Sequence, residues 1–240
     1  MKKNRLLYFV VFLILSLTVF INIKSTTSKG INYQVSEIEI PLYLKVLNFY
    51  DRHFNYQWLV RRVTGHLKTK EEKVFSLFRW THETIRHQPE YLPVIDDHVW
   101  SVYVRGYGVS DNFNDLFSTL CNYVGVDGFF TSIIGENSDA PWTFSFVRLE
   151  RGWVVFDPYH GVYFTNKRGK LATVEEIKKQ NWKMVILEQT EPPPFFYEPY
   201  LKLLPDIGEI GLGRSSIQSP VNRLKYLLVR WFSDKKAILK

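Results

Sequence analysis

Ser110 is the residue of this chain best placed to attack an acyl carbon. It closes the glycine-rich turn Arg105-Gly106-Tyr107-Gly108-Val109-Ser110 and precedes Asp111-Asn112-Phe113 at the start of a predicted helix. A nucleophile at that point is exposed, and the helix dipole there favours an anion, a thiolate above all. Farther on, Ala140-Pro141-Trp142 opens a strand, and a hairpin returns through Arg151-Gly152-Trp153-Val154-Val155-Phe156-Asp157-Pro158. His160 lies three residues beyond Asp157. A serine hydroxyl is far from ionised at neutral pH and attacks only with a general base beside it. Ser110, His160 and Asp157 together would make a serine-hydrolase set, with His98 a more remote source of imidazole. The same residues also have a plain structural account. Ser110 before Asp111 suits a helix N-cap with an acid in the first turn. Asp157-Pro158 suits a strand-ending turn, with His160 beside Gly161 in a loop.

This order of turn, helix, strand and return strand resembles the transglutaminase-like family of the papain-like cysteine-enzyme superfamily. Members carry a Gly-x-Cys turn opening a helix, a His-Ala-Trp strand and a Gly-Trp…Asp-Pro return strand. The resemblance covers roughly residues 70–165 and implies a papain-like core with a Cys-His-Asp site. Carried across, the nucleophile position falls on Ser110, the histidine position on Ala140, and the acid on Asp157. Only the acid is retained, so the resemblance implies a degenerate site, with His160 as the possible substitute for the missing imidazole. Trp100, Tyr107, Trp142 and Tyr159 are candidates to line an aromatic groove along the old substrate cleft; core packing is the other role open to them.

The elements that must position these residues follow from periodicity. Residues 42–66 recur at mixed helical spacing, and residues 70–86 form an amphipathic helix with Val74, Leu77, Phe78, Thr81 and Ile85 on one side. His82 and His87 flank that stripe as surface or boundary histidines. A second helix, from about 110 to 124, puts Phe113, Leu116, Phe117, Leu120, Cys121 and Val124 inward and stops at Gly125. Cys121, the single cysteine, is therefore a buried small hydrophobe rather than a nucleophile. Strands are expected at 129–134, 142–148 and 153–157, then a short hairpin around 163–171. Thr173 and Glu176 have capping-box spacing for a short helix. Helices first and an antiparallel sheet second make an α+β arrangement.

Composition excludes other classes. Forty-five per cent hydrophobic and 16% aromatic residues rule out a disordered chain. One cysteine rules out an internal disulfide framework. The six histidines are scattered without metal-ligand spacing, Gly211-Leu212-Gly213 lacks the lysine of a phosphate loop, and no cofactor is implied. The net charge of +7 sits at the two ends, a net +5 in 1–30 and a net +5 in 221–240, leaving 31–220 at −3. A nucleic-acid-binding domain places its basic footprint on its folded body, so this distribution points to membrane instead.

Lys2, Lys3 and Arg5 precede an almost wholly apolar run from 6 to 23. This reads as a signal anchor, an N-terminal transmembrane helix with the globular domain on the outer side, periplasmic or extracellular. A cleaved signal peptide is the alternative, although no small-x-small site follows the run. The expected organisation is a signal anchor at 1–24, a polar linker at 25–36, the transglutaminase-like domain at 37–190, a Pro/Gly-rich extension at 191–220 and a basic amphipathic helix at 221–240. That last helix has the composition to lie on an anionic membrane or to dock on the domain. The function expected is binding or scaffolding in the cell envelope. Its partner would be an exported peptide, a polysaccharide or an envelope protein, and the alternative is a serine-dependent acyl hydrolase or acyltransferase.

Overall fold

The computed structural model describes residues 2–31, 34–92, 96, 98–136, 140–188, 190–208 and 213–238. An apolar helix α1 (Lys2–Asn22) leads into a hairpin of β1 (Lys24–Ile31) and β2 (Gln34–Pro41). Helices α2 (Leu42–Thr64) and α3 (Lys70–Thr84) follow, then the short β3 (Arg86–His87), α4 (Val99–Arg105) and β4 (Tyr107–Gly108). The central helix α5 (Ser110–Tyr123) precedes β5 (Gly128–Ile134), β6 (Pro141–Leu149), β7 (Gly152–Asp157) and β8 (Val162–Thr165). Next come α6 (Val174–Lys178), β9 (Lys183–Ile186), α7 (Glu198–Leu201) and α8 (Pro220–Ile238). Strands β5 to β9 form one antiparallel sheet in chain order, so the fold is α+β.

Local sequence explains the helix boundaries. Thr69 caps α3 by accepting from Glu72 N, while Glu72 Oε2 accepts from Thr69 N at 2.9 Å, a reciprocal capping box. Thr173 and Glu176 repeat that device at α6. Helix α5 has no such cap: Val109 is its N-cap and Ser110 its first helical residue. The Ser110 side chain therefore does not take the capping role its sequence suggested. Asn112 reaches back instead, accepting from Val109 N at 3.2 Å and from Arg105 Nη2 at 2.9 Å.

Both faces of the sheet are covered. Val147 and Leu149 of β6 and Val154 and Phe156 of β7 pack with residues of α2 to α5, including Leu77, Phe78, Phe113 and Phe117. Phe144 and Phe146 turn the other way and meet Ile177 of α6 with Tyr197, Tyr200, Leu201 and Leu204. Residues 195–204, placed by sequence in an extension beyond the domain, thus close the second face. Because both faces are dry, strand β6 is buried almost throughout and its alternation does not separate core from solvent. Helix α5 is likewise buried on every side from Asn112 to Cys121. Cys121 is inside, and burial pushes its thiol well above the ordinary range.

Two expectations at the N-terminus change. Residues 24–31 and 34–41, largely assigned to a linker, are the paired strands of a hairpin, in register from Lys24 opposite Pro41. Among the described residues, no helix is long and apolar enough to cross a membrane. The apolar part of α1 runs from 6 to 21, about 24 Å at the helical rise, short of a ~30 Å hydrocarbon core. Asn22 then ends it, with its side chain turned back to Thr18 O.

Candidate functional site

The turn before α5 is shaped by backbone geometry. Gly106 takes a left-handed φ of 71° as the C-cap of α4. A Cβ on Gly108 would lie 2.8 Å from Asn112 Cβ, so only glycine lets Asn112 fold back over the turn. The short β4 pairs in parallel with β3, setting Gly108 opposite His87. Asn114, one turn into α5, donates to Ser110 O at 2.8 Å and to Thr143 O at 3.2 Å, and accepts from Ser145 Oγ at 2.7 Å. These bonds lock the start of α5 against β6.

The acid position is the best-connected side chain of the region. Asp157 is fully buried at the end of β7. Its Oδ2 accepts from Trp142 Nε1 at 2.9 Å, Tyr197 Oη at 2.7 Å and His160 Nδ1 at 3.0 Å. Its Oδ1 accepts from the backbone N–H groups of Tyr159 and His160 at 3.0 and 3.2 Å. With Nδ1 donating, the lone pair of His160 lies on Nε2. Burial first, and the Asp157 charge second, push the Tyr197 phenol far above its ordinary range, so it remains a donor.

Ser110 is less well connected. Its Oγ is buried and has no hydrogen-bond partner among the described residues. Ala140, at the position where the family resemblance places histidine, is exposed just before β6. The structure therefore joins Asp157 to His160 and leaves Ser110 out of the hydrogen-bonded set. His98 is elsewhere: it caps α4, with Nδ1 accepting from Trp100 N at 3.2 Å.

The four aromatic candidates separate into two groups. Trp142 stands 6.3 Å from Tyr159 and 4.9 Å from His160, centroid to centroid. Trp100 instead packs on Tyr56 and Tyr103, and Tyr107 lies under the Arg105 guanidinium.

Two members of the site were missed in sequence. His87 stacks on Tyr159 with centroids 4.0 Å apart, stands edge-on to His160 at 6.4 Å, and bonds Tyr159 O through Nε2 at 3.0 Å. His82 holds the same turn from behind, through Pro158 O at 3.1 Å and Thr190 Oγ1 at 3.0 Å, and burial lowers its pKa. The second missed member is Tyr197, whose one signal in sequence was the aromatic run that follows three prolines. Among the described residues, no group of His, Cys, Asp or Glu is placed to hold a metal ion.

Residues 57–158 match the transglutaminase-like superfamily, a span that takes in the turn, the central helix and the buried acid. The chain carries a transglutaminase-like domain. Solved structures similar to it include a candidate cysteine protease from Cytophaga hutchinsonii, 13% identical with a TM-score of 0.40, covering 61% of this chain and 56% of its own. A candidate protease from Parabacteroides distasonis is 10% identical with a TM-score of 0.36, covering 57% and 36%. A structure described as a TGase is 11% identical with a TM-score of 0.37, covering 56% and 43%. The chain thus spans between about a third and somewhat over half of those neighbours, and at that likeness nothing of their chemistry carries over. No curated protein matches it.

Proposed function

We propose that this transglutaminase-like domain is a binding module in which the acyl-transfer site has become a structural node. The observation that carries the reading is the buried Ser110 Oγ, which has no hydrogen-bond partner among the described residues while the Asp157 carboxylate accepts from five donors. A nucleophilic hydroxyl needs its base within hydrogen-bond reach, and Ser110 Oγ makes no hydrogen bond to His160. Trp142 and Tyr159, both partly exposed at the edge of this node, are where this reading places an exported peptide or a polysaccharide. Membrane attachment is part of the same reading. Its support is exposed apolar surface: Leu6 to Phe20 on α1, Leu47, Phe54 and Trp58 on α2, and Leu224, Trp231 and Phe232 on α8. The test is labelling of the purified chain with a fluorophosphonate and hydrolysis of p-nitrophenyl acetate. Wild type and Ser110→Ala give the same background in both assays. Deleting 221–240 from a chain lacking 1–24 tests the membrane part by vesicle co-sedimentation, and a chain lacking only 1–24 that ignores anionic vesicles removes α8 from the proposal.

A second reading has its own observation in favour. His160 Nδ1 sits 3.0 Å from Asp157 Oδ2, the orienting half of a serine-hydrolase triad, with Nε2 left as acceptor. Under that reading Ser110 takes the acyl group, His160 Nε2 takes its proton and Asp157 holds the imidazole. Labelling that Ser110→Ala and His160→Gln both abolish establishes the hydrolase and ends the binding-module reading.

A further inference from the structure

A cavity of about 700 Å³ opens between the β1–β2 hairpin, α2 and the start of α4. None of Ser110, Trp142, Asp157 or His160 lines it. Its walls mix apolar side chains, Ile38, Ile40 and Trp100, with Arg52, His98 and Arg214. The volume is that of an ordinary small-molecule pocket.

The polar groups of this cavity are unequally matched. Among the described residues, Arg52 Nε is buried with no hydrogen-bond partner and none forms an ion pair with its guanidinium. The acids around it are committed. Asp96 accepts from His98 N at 2.9 Å and Ser101 Oγ at 3.2 Å. Asp115 lies 2.6 Å from Arg214 Nε, and Asp51 accepts from Asn55 at 3.1 Å. Lys45 is turned to Ser25 Oγ and Thr26 O. His98 adds a donor, since Nδ1 accepts from Trp100 N and the hydrogen therefore resides on Nε2. Burial, reinforced by the Arg52 charge, lowers its pKa to about 4 and keeps that imidazole neutral. Burial also lowers the Arg52 pKa, with the nearby acids only partly compensating. A half-buried cation whose Nε–H is left unpaired is costly, and a ligand anion is what would relieve it.

We propose that this cavity binds a small organic anion, a carboxylate on an apolar body. Arg52 is its ion-pair partner, His98 Nε2–H a second donor, and Ile38, Ile40 and Trp100 the seat of the apolar part. Arg52 and carboxylate match as a planar fork to two oxygens. The site is independent of the function proposed for the Asp157 node.

The probe is 3-phenylpropionate, titrated calorimetrically into the full chain in neutral detergent, with 3-phenylpropan-1-ol and inorganic phosphate as comparators. The carboxylate binds saturably, and the alcohol binds at least ~10-fold more weakly, as loss of a charge-assisted bond requires. Arg52→Gln weakens the carboxylate at least ~10-fold as well, and Arg52→Lys, which keeps the charge but loses the fork, falls between. Ser110→Ala leaves the affinity unchanged. Three results overturn the proposal: no saturable binding of the carboxylate, equal affinity for the alcohol, or unchanged affinity in Arg52→Gln. Phosphate binding as tightly as the carboxylate overturns the apolar seat. If Arg52→Gln does not fold, Arg52→Lys and the two comparators on the wild type carry the same decision.

Discussion

Tyr197 donates its hydroxyl to Asp157 Oδ2 at 2.7 Å across forty residues of chain. That bond ties the segment after the three prolines to the end of β7, at the position where the family resemblance puts a catalytic acid. Trp142 and His160 occupy the same oxygen, so one carboxylate holds together three separate stretches of chain.

Removing one donor from such a node costs less than removing the acceptor. Tyr197→Phe deletes a single hydrogen bond to a buried carboxylate and lowers stability by about 1–3 kcal/mol. Asp157→Ala costs more, because it leaves Trp142, Tyr197 and His160 without their acceptor. Equilibrium urea unfolding of both variants checks the order. The reverse order removes Asp157 from the centre of the network.

Ser110→Ala is close to neutral for folding. Its Oγ is buried with no hydrogen-bond partner among the described residues, so deletion loses no bond and relieves an unsatisfied hydroxyl, leaving stability equal to wild type or up to about 1 kcal/mol higher. A loss above ~1 kcal/mol would reveal a hydrogen bond to Ser110 in solution.

Gly108→Ala strikes the turn directly. The new Cβ meets Asn112 Cβ at 2.8 Å, and Asn112 must give up its bonds to Val109 N and Arg105. The cost is about 1–3 kcal/mol, with faster amide exchange in the first turn of α5. Unchanged exchange there, with stability intact, would show that Asn112 does not brace the turn.

Stability also depends on pH through Asp115. Burial raises its carboxyl to about 7, with Arg214 opposing and Asp111 adding to the shift. An unfolded aspartate titrates near ~3.9, so the stability linked to Asp115 is complete below about pH 4 and is lost as pH rises through about 7. His98 works in the other direction. Its folded pKa is about 4 against ~6.5 unfolded, so its contribution is present above ~6.5 and lost as pH falls through about 4. Asp115→Asn removes the first effect and keeps the second. Between pH 5 and pH 8 its urea midpoint rises relative to that of wild type, because only the His98 effect remains; midpoints that run parallel would mean that Asp115 does not titrate in this window.

The helices that carry the site were legible because their signals are local. Thr69 with Glu72 and Thr173 with Glu176 announce their own helix starts, and the apolar spacing from Phe113 to Cys121 marks α5. The paired strands β6 and β7 were visible from alternation and the turn at Gly152. Residues 25–36 were not. Their small polar side chains read as a linker, while the hairpin they help to form is held by backbone pairing. The apolar run at the N-terminus was legible as a helix, but the length of its apolar part, set by where Asn22 ends it, decides whether it can span.

Side-chain types and spacing by themselves determined the α+β class, the inward Cys121 and the glycine-rich turn before Ser110. These depend on neighbours a few residues away, within reach of helical and strand periods. Tertiary structure alone decided where the imidazoles went. His87 arrives through a two-residue parallel pairing, His160 through a turn that folds onto its own acid, and Tyr197 through a segment that crosses the back of the sheet. It also decided that Ser110 Oγ and Arg52 Nε lie buried with no hydrogen-bond partner among the described residues. Long-range packing chooses among partners far apart in the chain, and no local pattern encodes which ones meet.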